Sequence, residues 1–210
     1  MIVTKIEAYG GKSKFSKIYA DGEYIISLPP ELIERFKIEV GAEIDEEELK
    51  KMSEAALVRR ARERLLYSLD RRLHSEKELR DKLRQNYPPH IIDAAIGELS
   101  RLGLVDDEKF ARAFVEQRLH INKKGPYAIV SELIIKGVDK QLARSVVDEL
   151  TCESDDEYKS ALAVAERYKK DLSDPKGKQR LYGALARRGF SYSVVKRVMQ
   201  EICNVTYYED

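Results

Sequence analysis

The sequence predicts a mainly α fold: tandem three-helix repeats in an elongated array, preceded by a small N-terminal segment containing a β-hairpin. Three observations carry this expectation. Apolar anchors recur as Leu83, Leu133 and Leu185, then Ile91, Leu142 and Val194, then Leu99, Leu150 and Ile202, at intervals of 50–52 residues. From Asp45 onward the apolar positions follow a helical period. Before that point they alternate, and Asp21-Gly22 separates two alternating runs.

The strands come first. Val3–Ala8 alternates, Gly10-Gly11 breaks it, and Ser16–Ala20 resumes the pattern. Asp21-Gly22 is the residue pair that a two-residue hairpin turn favours, because both central positions need positive φ. The third strand, Glu23–Leu28, stops at Pro29-Pro30. A short helix over Glu31–Phe36 and a strand over Lys37–Val40 complete the segment. So few strands bury little apolar area alone, so the segment should pack on the helices that follow.

The first helical signal is Asp45 with Glu48, three residues apart as in a capping box; Ser75 with Glu78 repeats it. Leu57, Val58, Ala61, Leu65, Leu66, Leu69 and Leu73 fall on one half of a helical wheel, and Arg60, Arg64 and Arg71 on the other. The arginines read either as a solvated face or as a stripe contacting phosphates or acids. In the second and third copies Gly137 and Gly189 follow a basic residue and precede an apolar one, which reads as a left-handed helix C-cap with a closing hydrophobic contact. The first copy has Tyr87-Pro88-Pro89 instead, where proline can start the next helix. A third helix, opened by acids at Asp106-Asp107-Glu108 and again at Ser154–Glu157, follows each of the first two pairs. The expected units are residues 1–52 (hairpin module), 53–122 (Arg-rich helix and first repeat), 123–172 (second repeat) and 173–210 (a third, shortened repeat).

Composition narrows the function classes. The 210 residues carry 38 Lys+Arg against 37 Asp+Glu, and charged residues are 36% of the chain, above the roughly 25% of ordinary domains. Net charge is −3 over residues 1–52, +3 over 53–74, zero over 75–150 and +1 over 151–210, so the basic excess sits mainly in one helix. No apolar run reaches the roughly 18 residues of a membrane span, the N-terminus has no secretory stretch, and Cys152 and Cys203 do not make a disulfide framework. A cytoplasmic monomer is expected. Glycine-rich phosphate loops, nucleophile elbows and zinc-ligand spacings are absent from the sequence, so neither an enzyme nor a metal or cofactor site is expected. Asp106-Asp107 reads as capping in preference to metal binding. Lys123-Lys124-Gly125-Pro126 reads either as a plain helix start or as a phosphate-holding one.

The order Ser75-x-x-Glu78-Leu79-x-x-Lys82-Leu83, Gly103-Leu104-Val105-Asp106-Asp107-x-x-Phe110-Ala111, Lys124-Gly125 and Glu132-Leu133-x-x-Lys136-Gly137 resembles the RecX family, regulators of the bacterial recombinase RecA. The likeness covers about residues 60–202, the missing glycine of the first copy being a local departure. It implies a right-handed array of three-helix modules that binds the RecA–DNA filament. It further implies inhibition of the recombinase, ATPase and coprotease activities, with a place in DNA repair, recombination and the SOS response. Single- or double-stranded DNA would be contacted weakly or through RecA. The residues expected to contribute contacts are Arg112, Arg118, Lys123, Lys124 and Lys136, supported by Arg60, Arg64 and Arg71. The alternative is a helix-turn-helix-like DNA-binding module acting without RecA. A helix start rich in Arg, Asn and Gln for groove reading is missing, which disfavours sequence-specific binding. A structural adaptor built on helical repeats is a third reading.

Overall fold

The computed structural model describes residues 1–8, 15–152, 155–172 and 174–203, without the side chains of 152, 169–171 and 203. The Gly10-Gly11 break, the start of the second acidic helix at Ser154 and both cysteine side chains lie outside the described residues. The chain divides into two compact units, Met1–Arg71 with Arg80–Leu102, and Arg72–Leu79 with Gly103–Asp210.

The first unit opens with an antiparallel sheet in the order β1 (Val3–Ala8), β2 (Ser16–Ala20), β3 (Glu23–Leu28). Its hairpin turns at Asp21 (φ 49°) and Gly22 (φ 87°), the two positive φ values expected there. Helix α1 (Pro30–Arg35) follows. The strand expected over Lys37–Val40 is a turn instead. Lys37, at φ 53°, and Ile38 spend their amides on the Glu34 and Ile33 carbonyls, closing the C-terminus of α1, so neither is left for a ladder. Helix α2 (Glu46–Leu69) starts in a complete Asp45–Glu48 capping box. Val3, Ile18, Leu28, Leu32, Ile38, Ile44, Met52 and Ala56 form one core between sheet, α1 and α2. Farther along, α2 buries Ala61 and Leu65 and packs on α4 (Pro89–Arg101), which buries Ile91, Ile92, Ala95, Ile96 and Leu99. The buried stripe of α2 is narrower than the apolar half of its wheel, since Leu66 stays exposed, and Leu73 lies beyond the end of the helix.

In the second unit the first turn of α3 (Glu76–Leu83) is followed by α5 (Asp107–Glu116), a π-helical turn (Gln117–Ile121), α6 (Pro126–Ile135), α7 (Lys140–Cys152), α8 (Asp156–Ala165), a 3-10 turn (Glu166–Asp171), α9 (Pro175–Arg187) and α10 (Tyr192–Cys203). One core joins α5, α6 and α7 through Phe110, Phe114, Leu119, Ile129, Leu133, Val146 and Val147. A second joins α8, α9 and α10 through Ala161, Val164, Leu181, Leu185, Phe190 and Val198. The acid-capped helix therefore opens its three-helix group, where the sequence repeat read it as closing the one before. The reason is the inward face of that helix: Phe110 and Phe114 are buried against the residues that follow them.

Gly137 (φ 90°) and Gly189 (φ 76°) are the left-handed caps expected, and Val138 and Phe190 are the buried closing contacts. Each cap also receives the start of another helix. Gly125 and Tyr127 donate their amides to the Arg188 and Gly189 carbonyls at 2.8 and 3.1 Å. Ser75 Oγ donates to the Lys136 carbonyl at 2.7 Å. A Cβ on Gly137 would lie 2.4 Å from Lys77 Cβ, and one on Gly189 would lie 2.3 Å from the Ala128 nitrogen. These two glycines thus serve positive φ and close approach together.

Candidate functional site

Residues far apart in sequence meet around the C-terminus of α6. Ser75 Oγ accepts the Glu78 amide at 3.2 Å, half of the expected capping box. The Glu78 carboxylate itself is engaged elsewhere: Lys136 Nζ lies 2.5 Å from Oε1, and Arg72 Nη1 and His74 Nδ1 each 3.0 Å from Oε2. Burial alone would raise the Glu78 pKa, but the hydrogen bonds from Lys136, Arg72 and His74 outweigh it and hold the carboxyl at about 2. Nearby, Glu132 accepts from Arg118 Nε at 2.7 Å and from Lys124. Burial again opposes and the two cations prevail, so its pKa is lowered. The Arg118 guanidinium also lies 4.4 Å from the Phe114 ring centre, with Lys136 Nζ at 5.7 Å.

Asp106 and Asp107 do capping work of two kinds. Asp106 accepts the Glu108 and Lys109 amides at 3.0 Å, its own helix start. Asp107, half-buried and raised in pKa by desolvation, accepts the Glu76 amide of α3 at 2.8 Å. Of the remaining motif residues, Leu79, Leu83, Ala111, Gly125 and Leu133 are buried, whereas Gly103 and Leu104 are exposed.

The eight cations expected to make contacts fall into two sets. Arg112 pairs with Glu149 at 2.7 Å and Glu108 at 3.0 Å, Arg118 and Lys124 share Glu132, and Lys136 holds Glu78. Arg118 lies in the π-helical turn that follows α5, which ends at Glu116. Lys123, half-buried at φ 53°, has its carbonyl bound by Arg188. In the first unit the arginines differ. Arg60 lies over Phe15 at 5.7 Å, Arg71 over Tyr67 at 4.9 Å, and the exposed Arg64 has no ion pair among the described residues. Tyr67, 64% exposed, stands between Arg64 and Arg71 on the same face. Sequence reading passed over Tyr67, although the 60, 64, 67, 71 spacing places it on the arginine side of the wheel. It also passed over Arg72, whose partner Glu78 only the fold reveals.

Family models for the first, second and third three-helix domains of RecX match residues 61–99, 106–147 and 155–199. The chain belongs to the RecX family. The second and third domain matches cover the same α5–α7 and α8–α10 groups that share cores. Among curated relatives, Regulatory protein RecX of Clostridioides difficile strain 630 is 31% identical over 99% of both chains. Regulatory protein RecX of Bacillus subtilis strain 168 is 29% identical over 95% of this chain and 76% of its own. A crystal structure of a regulatory protein RecX superposes with a TM-score of 0.79 at 24% identity, covering 95% of this chain and 98% of that one. RecX from Lactobacillus salivarius gives 0.64 at 25% identity, over 72% and 99%. The mainly helical fold with a small N-terminal sheet and three tandem three-helix domains is therefore that of RecX. Among the described residues no helix is long and apolar enough to cross a membrane.

Proposed function

We infer that this RecX protein is a negative modulator of RecA: it binds the RecA–DNA filament and lowers recombinase, ATPase and coprotease activity, without catalysis of its own. The observation that carries this reading, beyond family membership, is the division of the cations. Those on α5 to α6 are balanced by glutamates, so they offer a partner paired charges of both signs, which specify register on a protein surface. Arg59 and Arg62 of α2 pair with Glu31, Glu63 and Glu98, but Arg60, Arg64 and Arg71 bind no carboxylate among the described residues, and these three suit the phosphates of the DNA that such a filament encloses. Lys123 and the Arg60, Arg64 and Arg71 stripe are the residues assigned to contact, with Arg112, Arg118, Lys124 and Lys136 shaping the protein-facing surface. The working form is a cytoplasmic monomer.

The test is RecA ATPase on single-stranded DNA, titrated with the purified chain. A falling rate at substoichiometric ratios is expected; an unchanged rate at every ratio rejects the proposal. The stripe also favours a second reading, direct DNA binding without RecA. Binding to a bare oligonucleotide with a steep salt dependence, and no effect on RecA, would select it.

A further inference from the structure

We propose that the groove between Leu73, α5 and the π-helical turn is a docking site for a polypeptide segment of a partner, one that carries carboxylates beside an apolar side chain. The groove encloses about 570 Å³ and is lined by Arg72, Leu73, Phe110, Ala113, Phe114, Gln117, Arg118 and Lys136, three cations and no acid. The glutamates that pair with those cations, Glu78 and Glu132, are not among its lining residues. They leave donors uncommitted. Arg118 spends Nε on Glu132 and Nη1 on Asn122, and its Nη2 makes no hydrogen bond among the described residues. Arg72 uses its two terminal nitrogens and keeps Nε. A guanidinium with a free edge, next to an ammonium and the Gln117 amide, matches a carboxylate.

The backbone is distorted at this wall and nowhere else along α5 to α6. The Asn122 amide reaches the Gln117 carbonyl at 3.2 Å, a π-helical bond, and Lys123 follows at φ 53°. π-Turns concentrate at functional sites, and a non-glycine residue in the left-handed region is a cost that the surrounding structure must hold. Gln117 opens the π-helical turn, Arg118 follows it there, and both line the groove.

Ring exposure decides for a polypeptide over a nucleic acid strand. Phe110 and Phe114 are 4% and 6% exposed, too deep to stack on a base, whereas the rim residue Leu73 is 45% exposed and free to meet an apolar side chain. Tyr67, an exposed ring with Arg71 over it, belongs to the other unit. This inference goes beyond RecA modulation, because it names the chemistry of a docked segment whatever protein supplies it.

The experiment titrates the full chain with a labelled hexapeptide that alternates Glu with Leu and Phe, with the same peptide carrying Lys for Glu, and with oligothymidylate, following backbone amide signals by NMR. The acidic peptide is expected to shift Ala113, Gln117 and Arg118, and the basic one to leave them in place. Ala113→Glu fills the groove from an exposed helix position and should weaken the acidic peptide by about tenfold or more, the scale of one lost charge-assisted contact, with an unchanged Tm. Gln117→Glu should act in the same direction. Equal binding of both peptides, shifts confined to residues outside the groove, or shifts of these three amides by oligothymidylate alone would overturn the proposal. RecA is absent throughout, so the outcome is separate from that of the ATPase titration.

Discussion

Arg64 and Lys136 are both cations on helical segments of one protein, yet their surroundings are opposite. Arg64 stands exposed on α2 with Arg60 and Tyr67, and Arg71 follows just past the helix end; Arg60 lies over Phe15 and Arg71 over Tyr67. Lys136 sits at the end of α6 with its ammonium on Glu78 and its carbonyl bound by Ser75. Residue type and helical spacing cannot separate the two cases, because the partner of Lys136 lies 58 residues away. The difference teaches that helical spacing does not separate fastening cations from solvent-facing ones: Lys136 is a fastener in the second unit, as Arg59 and Arg62 are in the first, whereas Arg60, Arg64 and Arg71 bind no carboxylate among the described residues.

The comparison can be broken most severely from the core. Leu133, fully buried beside that fastening, should cost about 2–5 kcal/mol as Leu133→Ala in denaturant unfolding. Next comes the carboxylate. Glu78 is held at about 2 against an ordinary 4.5, a depressed folded-state value. Its contribution is therefore present above about pH 4.5 and lost as pH falls toward 2, about 3 kcal/mol in all. Glu78→Gln should flatten unfolding free energy over that window; an unaltered acid limb would mean that Lys136 and Arg72 do not hold it.

Gly137→Ala forces a side chain into left-handed backbone and against Lys77, so a loss of about 2 kcal/mol or more is expected in thermal unfolding. Gly103→Ala has only the flexible end of Lys109 nearby, at 3.9 Å, and should cost only the backbone strain, about 1 kcal/mol. Smallest in stability is the stripe. Arg60→Ala, Arg64→Ala and Arg71→Ala together should change stability by no more than about 1 kcal/mol, since none makes an ion pair among the described residues. On bare oligothymidylate the same triple variant should lower the salt slope by about 2, the scale of three lost phosphate contacts on a single strand.

Much of this architecture was legible in residues. Asp21-Gly22, the Asp45–Glu48 box, and the caps at Gly137 and Gly189 use local chemistry, which a sequence displays directly, and Leu83, Leu133 and Leu185 are fully buried as their recurrence implies. What was hidden depends on distance. The turn at Lys37–Val40 reads as a strand until its amides are seen closing α1. The grouping of α5 with α6 and α7 is invisible to repeat spacing, because a period fixes how often a unit recurs but not where it begins. In the site, the arginine stripe is readable from the wheel. The Glu78–Lys136–Arg72 cluster and the groove beside it arise only when three sequence segments meet.

The central claim is that this RecX chain acts on RecA and that Arg60, Arg64 and Arg71 take part. RecA ATPase on single-stranded DNA, measured with the native chain and the triple arginine variant side by side, tests it most directly. The account predicts a falling rate with the native chain and a much weaker effect from a variant of equal Tm. An unchanged rate with the native chain, or equal inhibition by both, would contradict it.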